Sequence, residues 1–186
     1  MRVGLLGGTF DPIHLGHLRA AESAREFLGL GRVLFMPAGT PPHRSAPATS
    51  ALDRFAMASL ATAGHADFAV SDLELQRVGP SYTVDTVSEL KAAQPADELV
   101  LLVGADAYGE MDTWKDRPRL MSLCRVAVMP RPGEEGLPAA GTLRVDGPSL
   151  PISASDIRRR VQEGRSIRYL VPEPVADYIA KRGLYR

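Results

Sequence analysis

The amino-acid sequence predicts an α/β protein, built as a single open, mainly parallel sheet with helices on both faces. Three observations carry that expectation. Several short runs are apolar at every position, as strands buried on both faces require. Segments with apolar residues at helical spacing alternate with those runs. Glycine or proline closes most segments of both kinds, which marks them as separate elements.

Residues 2–7 read as a first buried strand, followed by a turn over 8–16. Leu18, Ala21, Ala24, Phe27 and Leu28 recur at helical spacing within 17–28, and Gly29 and Gly31 stop that helix. Val33, Leu34, Phe35 and Met36 form a second strand, ended by Pro37. A strand, a helix and a strand in so short a span make a βαβ unit. Residues 38–50 are rich in Pro, Ala, Thr and Ser and read as a surface loop or an active-site lid. A helix over about 51–63 leads to a short strand at 68–70, and Val84, Val87 and Leu90 give 83–93 a helical period. Residues 99–103 are the clearest buried strand, ending at Gly104, and 126–129 form another, ended by Pro130. Residues 131–148 hold many Gly and Pro and read as loop. Ser153 and Asp156 have capping-box spacing at the head of a helix that Gly164 stops. Pro172 sits in the first turn of a last helix running to about Arg182. The expectation is about five parallel strands in one domain, 1–186, with ligands beyond their carboxyl ends.

Composition narrows the function. The chain has 186 residues, and its 22 Lys and Arg balance its 22 Asp and Glu. That balance argues against nucleic acid as a partner and suits a small molecule. A single cysteine, Cys124, excludes an intrachain disulfide and a cysteine-based zinc cage, and its apolar neighbours mark it as core. The apolar run at 3–6 is too short for a signal peptide, and no stretch has the length to cross a bilayer. A cytoplasmic protein without a membrane partner is expected; a homo-oligomer is left open.

The chemistry concentrates after the first strand, in Gly7-Gly8-Thr9-Phe10-Asp11-Pro12-Ile13-His14-Leu15-Gly16-His17. Gly7 and Gly8 allow a sharp turn whose N–H groups can hold an anion. His14 and His17 are three apart at a helix start, which puts both imidazoles on one side with Gly16 between them. The helix N-terminus adds partial positive charge and free N–H groups. Together these make a polyphosphate site. The glycines match neither the dinucleotide fingerprint nor a P-loop. A metal role for the histidines lacks a third ligand nearby. Near the other end, Ser153 and Ser155 open a helix, and Arg158 in its first turn could grip phosphate oxygens. Arg159 and Arg160 point elsewhere and read as solvated. Asp106 suits a ribose hydroxyl or a helix cap equally, and His65, with no partner in sequence, reads as surface.

The eleven-residue run closely resembles the signature of adenylyltransferases that carry a His-x-Gly-His motif, and within them the bacterial nicotinate mononucleotide adenylyltransferases. The resemblance extends almost end to end. Pro41-Pro42-His43-Arg44 resembles the family's mobile loop, with Arg44 where Lys is usual. Ser81-Tyr82-Thr83-Val84-Asp85-Thr86 is similar to its acceptor-side segment. Gly104-Ala105-Asp106 resembles the turn whose acid holds the ATP ribose. Trp114 matches the aromatic that stacks on the pyridine ring, and Arg131-Pro132-Gly133 a loop near the nucleotide. Ile152-Ser153-Ala154-Ser155-Asp156-Ile157-Arg158 resembles the second phosphate motif, usually Ile-Ser-Ser-Thr-x-Ile-Arg, with a hydroxyl at two of three positions.

The resemblance implies a Rossmann-like nucleotidyltransferase fold, with the helices of about 153–186 completing the ATP site. It implies that the acceptor phosphate attacks the α-phosphorus of ATP and pyrophosphate leaves. His14, His17 and Arg158 would be catalytic. Gly7, Gly8, Thr9, Phe10, Gly16, Arg44, Gly104, Asp106, Arg131, Ser153 and Ser155 would bind ATP. His43, Tyr82, Thr83, Asp85, Trp114 and Lys115 would face nicotinate mononucleotide, with Lys115 adding a weak attraction to its carboxylate. Mg2+ would arrive with the phosphates, without a protein cage. The nearest rival is an adenylyltransferase for pantetheine phosphate, whose first His position usually holds Thr; a nucleotide-binding regulator is a rival of another class.

Overall fold

In the computed structural model, residues 1–40, 46–129, 141–148 and 150–186 are described. Their strands are β1 (Arg2–Gly8), β2 (Arg32–Pro37), β3 (Phe68–Val70), β4 (Glu98–Gly104), β5 (Arg125–Met129) and β6 (Leu143–Arg144). They form one sheet in the order β3-β2-β1-β4-β5-β6, and every pairing is parallel. The sixth strand lies in the stretch expected to be loop. Two residues long, it has no periodicity to read, and only its pairing with Ala127 and Val128 defines it.

The helices are α1 (Leu15–Leu28), α2 (Ala51–Thr62), α3 (Thr83–Ala93), α4 (Ala105–Gly109), α5 (Arg117–Leu123), α6 (Ala154–Gln162) and α7 (Glu173–Arg182), with a 3-10 turn at Met111–Thr113. The elements between 105 and 123 are too short for a period to show and do not appear in the sequence reading. Helix α1 starts two residues before the expected 17, with His14 as its N-cap. Pro172 is the N-cap of α7 rather than a first-turn residue; Pro174 occupies that turn.

Alternation along the central strands sorts side chains into two cores. Leu6 and Leu102 join Ile13, Ala21, Phe35, Met57, Ile157 and Ile179 on one face. Leu5 and Leu101 join Val84, Val87, Leu120 and Val126 on the other. Helices α1, α2, α6 and α7 therefore cover the first face, and α3 and α5 the second. Each fully buried leucine contributes about 1.5–3 kcal/mol, so the sheet is held from both sides. Among the described residues no helix is long and apolar enough to cross a membrane.

His65 is not the unpartnered surface residue that the sequence suggests. Its ring stacks on Phe68 with centroids 3.8 Å apart, and its Nε2 lies 3.1 Å from the Glu22 carboxylate. Both partners come from tertiary packing or a turn, where sequence spacing gives no cue.

Candidate functional site

Strand β1 lies between β2 and β4, so the chain leaves it to one side first and to the other later. That reversal opens a crevice at the carboxyl ends of β1 and β4, which end at Gly8 and Gly104. Of the residues expected to bind ATP, Gly7, Gly8 and Gly104 lie at these strand ends.

His14 caps α1 in an extended conformation, and the first turn of that helix carries no acid. The His14 N–H donates to His17 Nδ1 at 3.2 Å. The two rings stack with centroids 3.6 Å apart and planes 21° from parallel. Gly16 makes the stack possible: a Cβ there would come within 2.9 Å of His14 Nδ1 and 3.4 Å of the Leu150 carbonyl oxygen. The same contact brings the approach to α6 against the head of α1. Burial holds the His14 pKa down at about 4. Burial, and then the neighbouring His14, hold His17 well below its ordinary value. Both rings are therefore neutral near pH 7. Because His17 Nδ1 accepts a hydrogen bond, the neutral ring carries its proton on Nε2. His14 Nδ1 is buried without a hydrogen-bonding partner among the described residues.

Arg158 reaches the same turn from 147 residues away, its Nη1 donating to the Asp11 carbonyl oxygen at 2.7 Å. It is the fifth residue of α6, just past the first turn in which the sequence reading put it. Ser153 Oγ accepts the Asp156 N–H at 3.2 Å and so caps α6, with Ser155 Oγ 3.2 Å from it. Arg159 and Arg160, read as solvated, both close on the Asp156 carboxylate. Phe10 has a positive φ of 51° and is only 2 % exposed as a whole residue, its ring packed on His17 and Phe35. Asp106 is exposed in the first turn of α4, whose N-cap is Gly104, so the helix-cap alternative for Asp106 falls away.

Of the residues expected to face the acceptor, Tyr82, Thr83, Asp85 and Lys115 lie together. Tyr82 caps α3, Thr83 starts it, and Asp85 lies in its first turn. Lys115 Nζ is 2.8 Å from the Asp85 carboxylate and 4.6 Å from the centre of the Tyr82 ring. Trp114, half-buried, packs on the edge of the second core. Lys115 is thus already neutralised by Asp85, which weakens the attraction expected of it toward an acceptor carboxylate. His43, Arg44 and Arg131 lie outside the described residues. So does the centre of the 38–50 loop, whose described end is anchored: Ala48 N–H and Thr49 Oγ1 donate to Asp11, and Ser50 caps α2.

Three residues that sequence reasoning left unassigned hold this arrangement. The Asp11 carboxylate accepts from Ala48 and Thr49, and from Tyr185 Oη at 2.7 Å. Arg54, 1 % exposed, donates to the Thr9 carbonyl at 2.8 Å and to the Gly39 carbonyl at 3.1 Å. Burial lowers its pKa, opposed by nearby Asp11, Tyr185 and Glu74. Glu74, also buried, accepts from Thr86 Oγ1 at 2.9 Å, and burial raises its carboxyl above the usual range. A signal for Arg54 existed. It shares the buried stripe of α2 with Met57, Ala58 and Ala61 at helical spacing, and an arginine there requires polar partners.

Residues 5–160 match the cytidylyltransferase-like family model. A probable nicotinate-nucleotide adenylyltransferase of Thermus thermophilus is 50 % identical over 190 residues, covering all of both chains. A relative with the same name from Desulfitobacterium hafniense is 46 % identical and is matched over 96 % of its length by the whole of this chain. Among solved structures, nicotinic acid mononucleotide adenylyltransferase of Plasmodium falciparum, complexed with NaAD, superposes with a TM-score of 0.83. It covers 99 % of this chain and 97 % of its own at 18 % identity, a likeness of fold.

Proposed function

The chain belongs to the cytidylyltransferase-like family and, within it, to the nicotinate-nucleotide adenylyltransferases; from that premise we propose how its residues carry out the reaction. The enzyme transfers the adenylyl group of ATP to nicotinate mononucleotide, giving nicotinate adenine dinucleotide and pyrophosphate in NAD biosynthesis. The nucleophile is the acceptor's phosphate, already an anion, so no base is required. The protein's task is to align two anions and to stabilise the charge that develops on the transferring phosphorus.

His17 donates from Nε2 to a phosphate oxygen, because its Nδ1 is held by the His14 N–H at 3.2 Å. That bond is the observation that carries the reading: it fixes one tautomer and one donor before substrate arrives. The His14 ring and the Gly16 N–H supply further donors, the Leu15 and His17 N–H groups being engaged by the Leu170 and His14 carbonyls. Arg158, steadied by the Asp11 carbonyl, keeps its remaining N–H groups for the polyphosphate. Ser153 and Ser155 extend that grip, Gly7, Gly8 and the Thr9–Phe10 backbone line the turn, and Gly104 with Asp106 meets the ribose. Trp114 stacks on the pyridine ring between Tyr82, Thr83 and the Asp85–Lys115 pair. On the sequence resemblance, His43 is assigned to the acceptor and Arg44 and Arg131 to ATP.

The phosphate-facing donors are a guanidinium, N–H groups and hydroxyls, which suit phosphate oxygens. Among the described residues no group of three His, Cys, Asp or Glu could cage an ion. Mg2+ would arrive on the triphosphate and neutralise part of its charge. ATP and nicotinate mononucleotide are the partners. Pyrophosphate release with nicotinate mononucleotide, its amide and pantetheine phosphate as acceptors tests the assignment. A faster reaction with pantetheine phosphate would overturn it.

A further inference from the structure

Gly39 lies in the loop after β2, between the turn assigned to ATP and the segment assigned to the acceptor. Its surroundings are more tightly determined than a loop requires. Its carbonyl accepts from Arg54 at 3.1 Å, and the other arm of that guanidinium holds the Thr9 carbonyl at 2.8 Å. Its N–H faces the Glu74 carboxylate. A Cβ at Gly39 would overlap the Glu74 carbonyl oxygen and come within 3.1 Å of Ser81 Oγ. Glu74 in turn accepts from Thr86 Oγ1, which is fully buried and receives Arg77 Nη1 at 2.8 Å. Ser81 N–H closes the loop by donating to the Thr40 carbonyl at 3.0 Å.

Burying an arginine and a glutamate is costly, and apolar side chains would fill the same volume more cheaply in free energy. Here each ion is tied to backbone on the two sides of the crevice. Arg54 holds Thr9, next to the Gly-Gly turn, while Glu74 holds Thr86 and borders Ser81, on either side of Tyr82, Thr83 and Asp85. Hydrogen bonds to ions are directional, so the chain Thr9–Arg54–Gly39–Glu74–Thr86 has one length. We propose that Arg54 and Glu74, meeting at Gly39, are positioning residues that set the separation of the ATP and acceptor subsites and so align the two phosphates for transfer. This rests on the reading that Tyr82 and Trp114 face the acceptor.

The test separates binding from alignment. Glu74→Gln keeps the shape and reverses a hydrogen-bond polarity beside Gly39; Gly39→Ala forces the two sides apart. In both, kcat should fall about 10- to 100-fold while the separate Kd values for ATP and for nicotinate mononucleotide change less than about threefold, since a displacement of about 1 Å costs alignment before affinity. Nicotinate mononucleotide binding is read from Trp114 emission, ATP binding by calorimetry, and folding by thermal melts. A normal kcat in either folded variant overturns the proposal, as does loss confined to acceptor binding. If both fail to fold, Thr86→Val, which drops the hydroxyl at constant volume, decides by the same criteria. Trp114→Ala is the control. An unchanged acceptor KM there removes the site reading itself, whereas a raised one beside a normal kcat in Glu74→Gln removes only the spacing role.

Discussion

At the end of the crevice proposed for phosphate, His14, His17 and Arg158 are buried or half-buried and held by backbone; at the end proposed for the acceptor, Lys115 and Asp85 are more open to solvent and held by one another. His14 and His17 are stacked, desolvated and neutral, and Arg158 leans on a carbonyl, with no carboxylate paired to it among the described residues. Lys115 and Asp85, in contrast, form an ion pair with side chains 48 % and 34 % exposed. The contrast teaches where the reaction is demanding. A site for transition-state charge needs uncancelled donors in a dry setting, where electrostatic stabilisation is strongest. A site that recognises a flat ring needs only surface area and a few polar contacts.

That comparison breaks most easily at His17. His17→Ala should lower kcat by about 10²–10³-fold in a protein that melts normally, since it removes one preorganised donor. Turnover within a few-fold of the parent would show that the histidines are merely structural. Arg158→Lys should come next. It keeps the charge but loses the planar fork that holds Asp11 and phosphate together, so kcat should fall by at least about tenfold. A Lys variant as active as the parent would reduce Arg158 to a point charge.

The buried histidines also tie stability to pH. Above the ordinary value of 6.5, folded and unfolded forms are both neutral and nothing is lost. Below it the unfolded chain takes protons that the folded chain refuses until about pH 4 at His14. Stability should therefore decline as pH falls from 6.5 toward 4, by on the order of 3 kcal/mol from His14 alone. Urea melts across that range measure it, and His14→Gln should flatten the slope. A slope unchanged in that variant would assign the loss to other groups.

At the acceptor end the effects should be smaller and confined to one substrate. Trp114→Ala should raise the acceptor KM by about tenfold and leave that for ATP alone, in line with about 1–3 kcal/mol for stacking on an aromatic side chain. Smallest of all, Lys115→Met should shift the acceptor KM by less than about fivefold, because an exposed pair is worth about 0–1 kcal/mol. It should also leave the preference for the acid over the amide in place. A collapse of that preference would mean that Lys115 turns from Asp85 to the substrate.

Much of the fold is legible in the amino-acid sequence. Apolar runs and their terminators mark the longer strands and helices, because burial on both faces leaves no polar position to confuse the period. The Gly7–His17 run and Arg158 suggest a phosphate site by residue type and spacing, and the family resemblance turns that suggestion into an expectation. What remained hidden is of two kinds. Short elements, such as β6 and the helices between 105 and 123, carry too few residues for any period and exist through their neighbours.

The second kind is the buried polar framework. Sequence determined that His14 and His17 share one side of a helix start; only the fold decided that they stack, desolvate and fix a tautomer. Sequence determined that Arg54 lies on the apolar stripe of α2; only the fold supplied the carbonyls of Thr9 and Gly39 that satisfy it. The reason is physical. Periodicity records which face an element buries, a local property of the chain. The partners of a buried charge come from loops 15 and 45 residues away, and the strand order of the sheet alone brings those loops together.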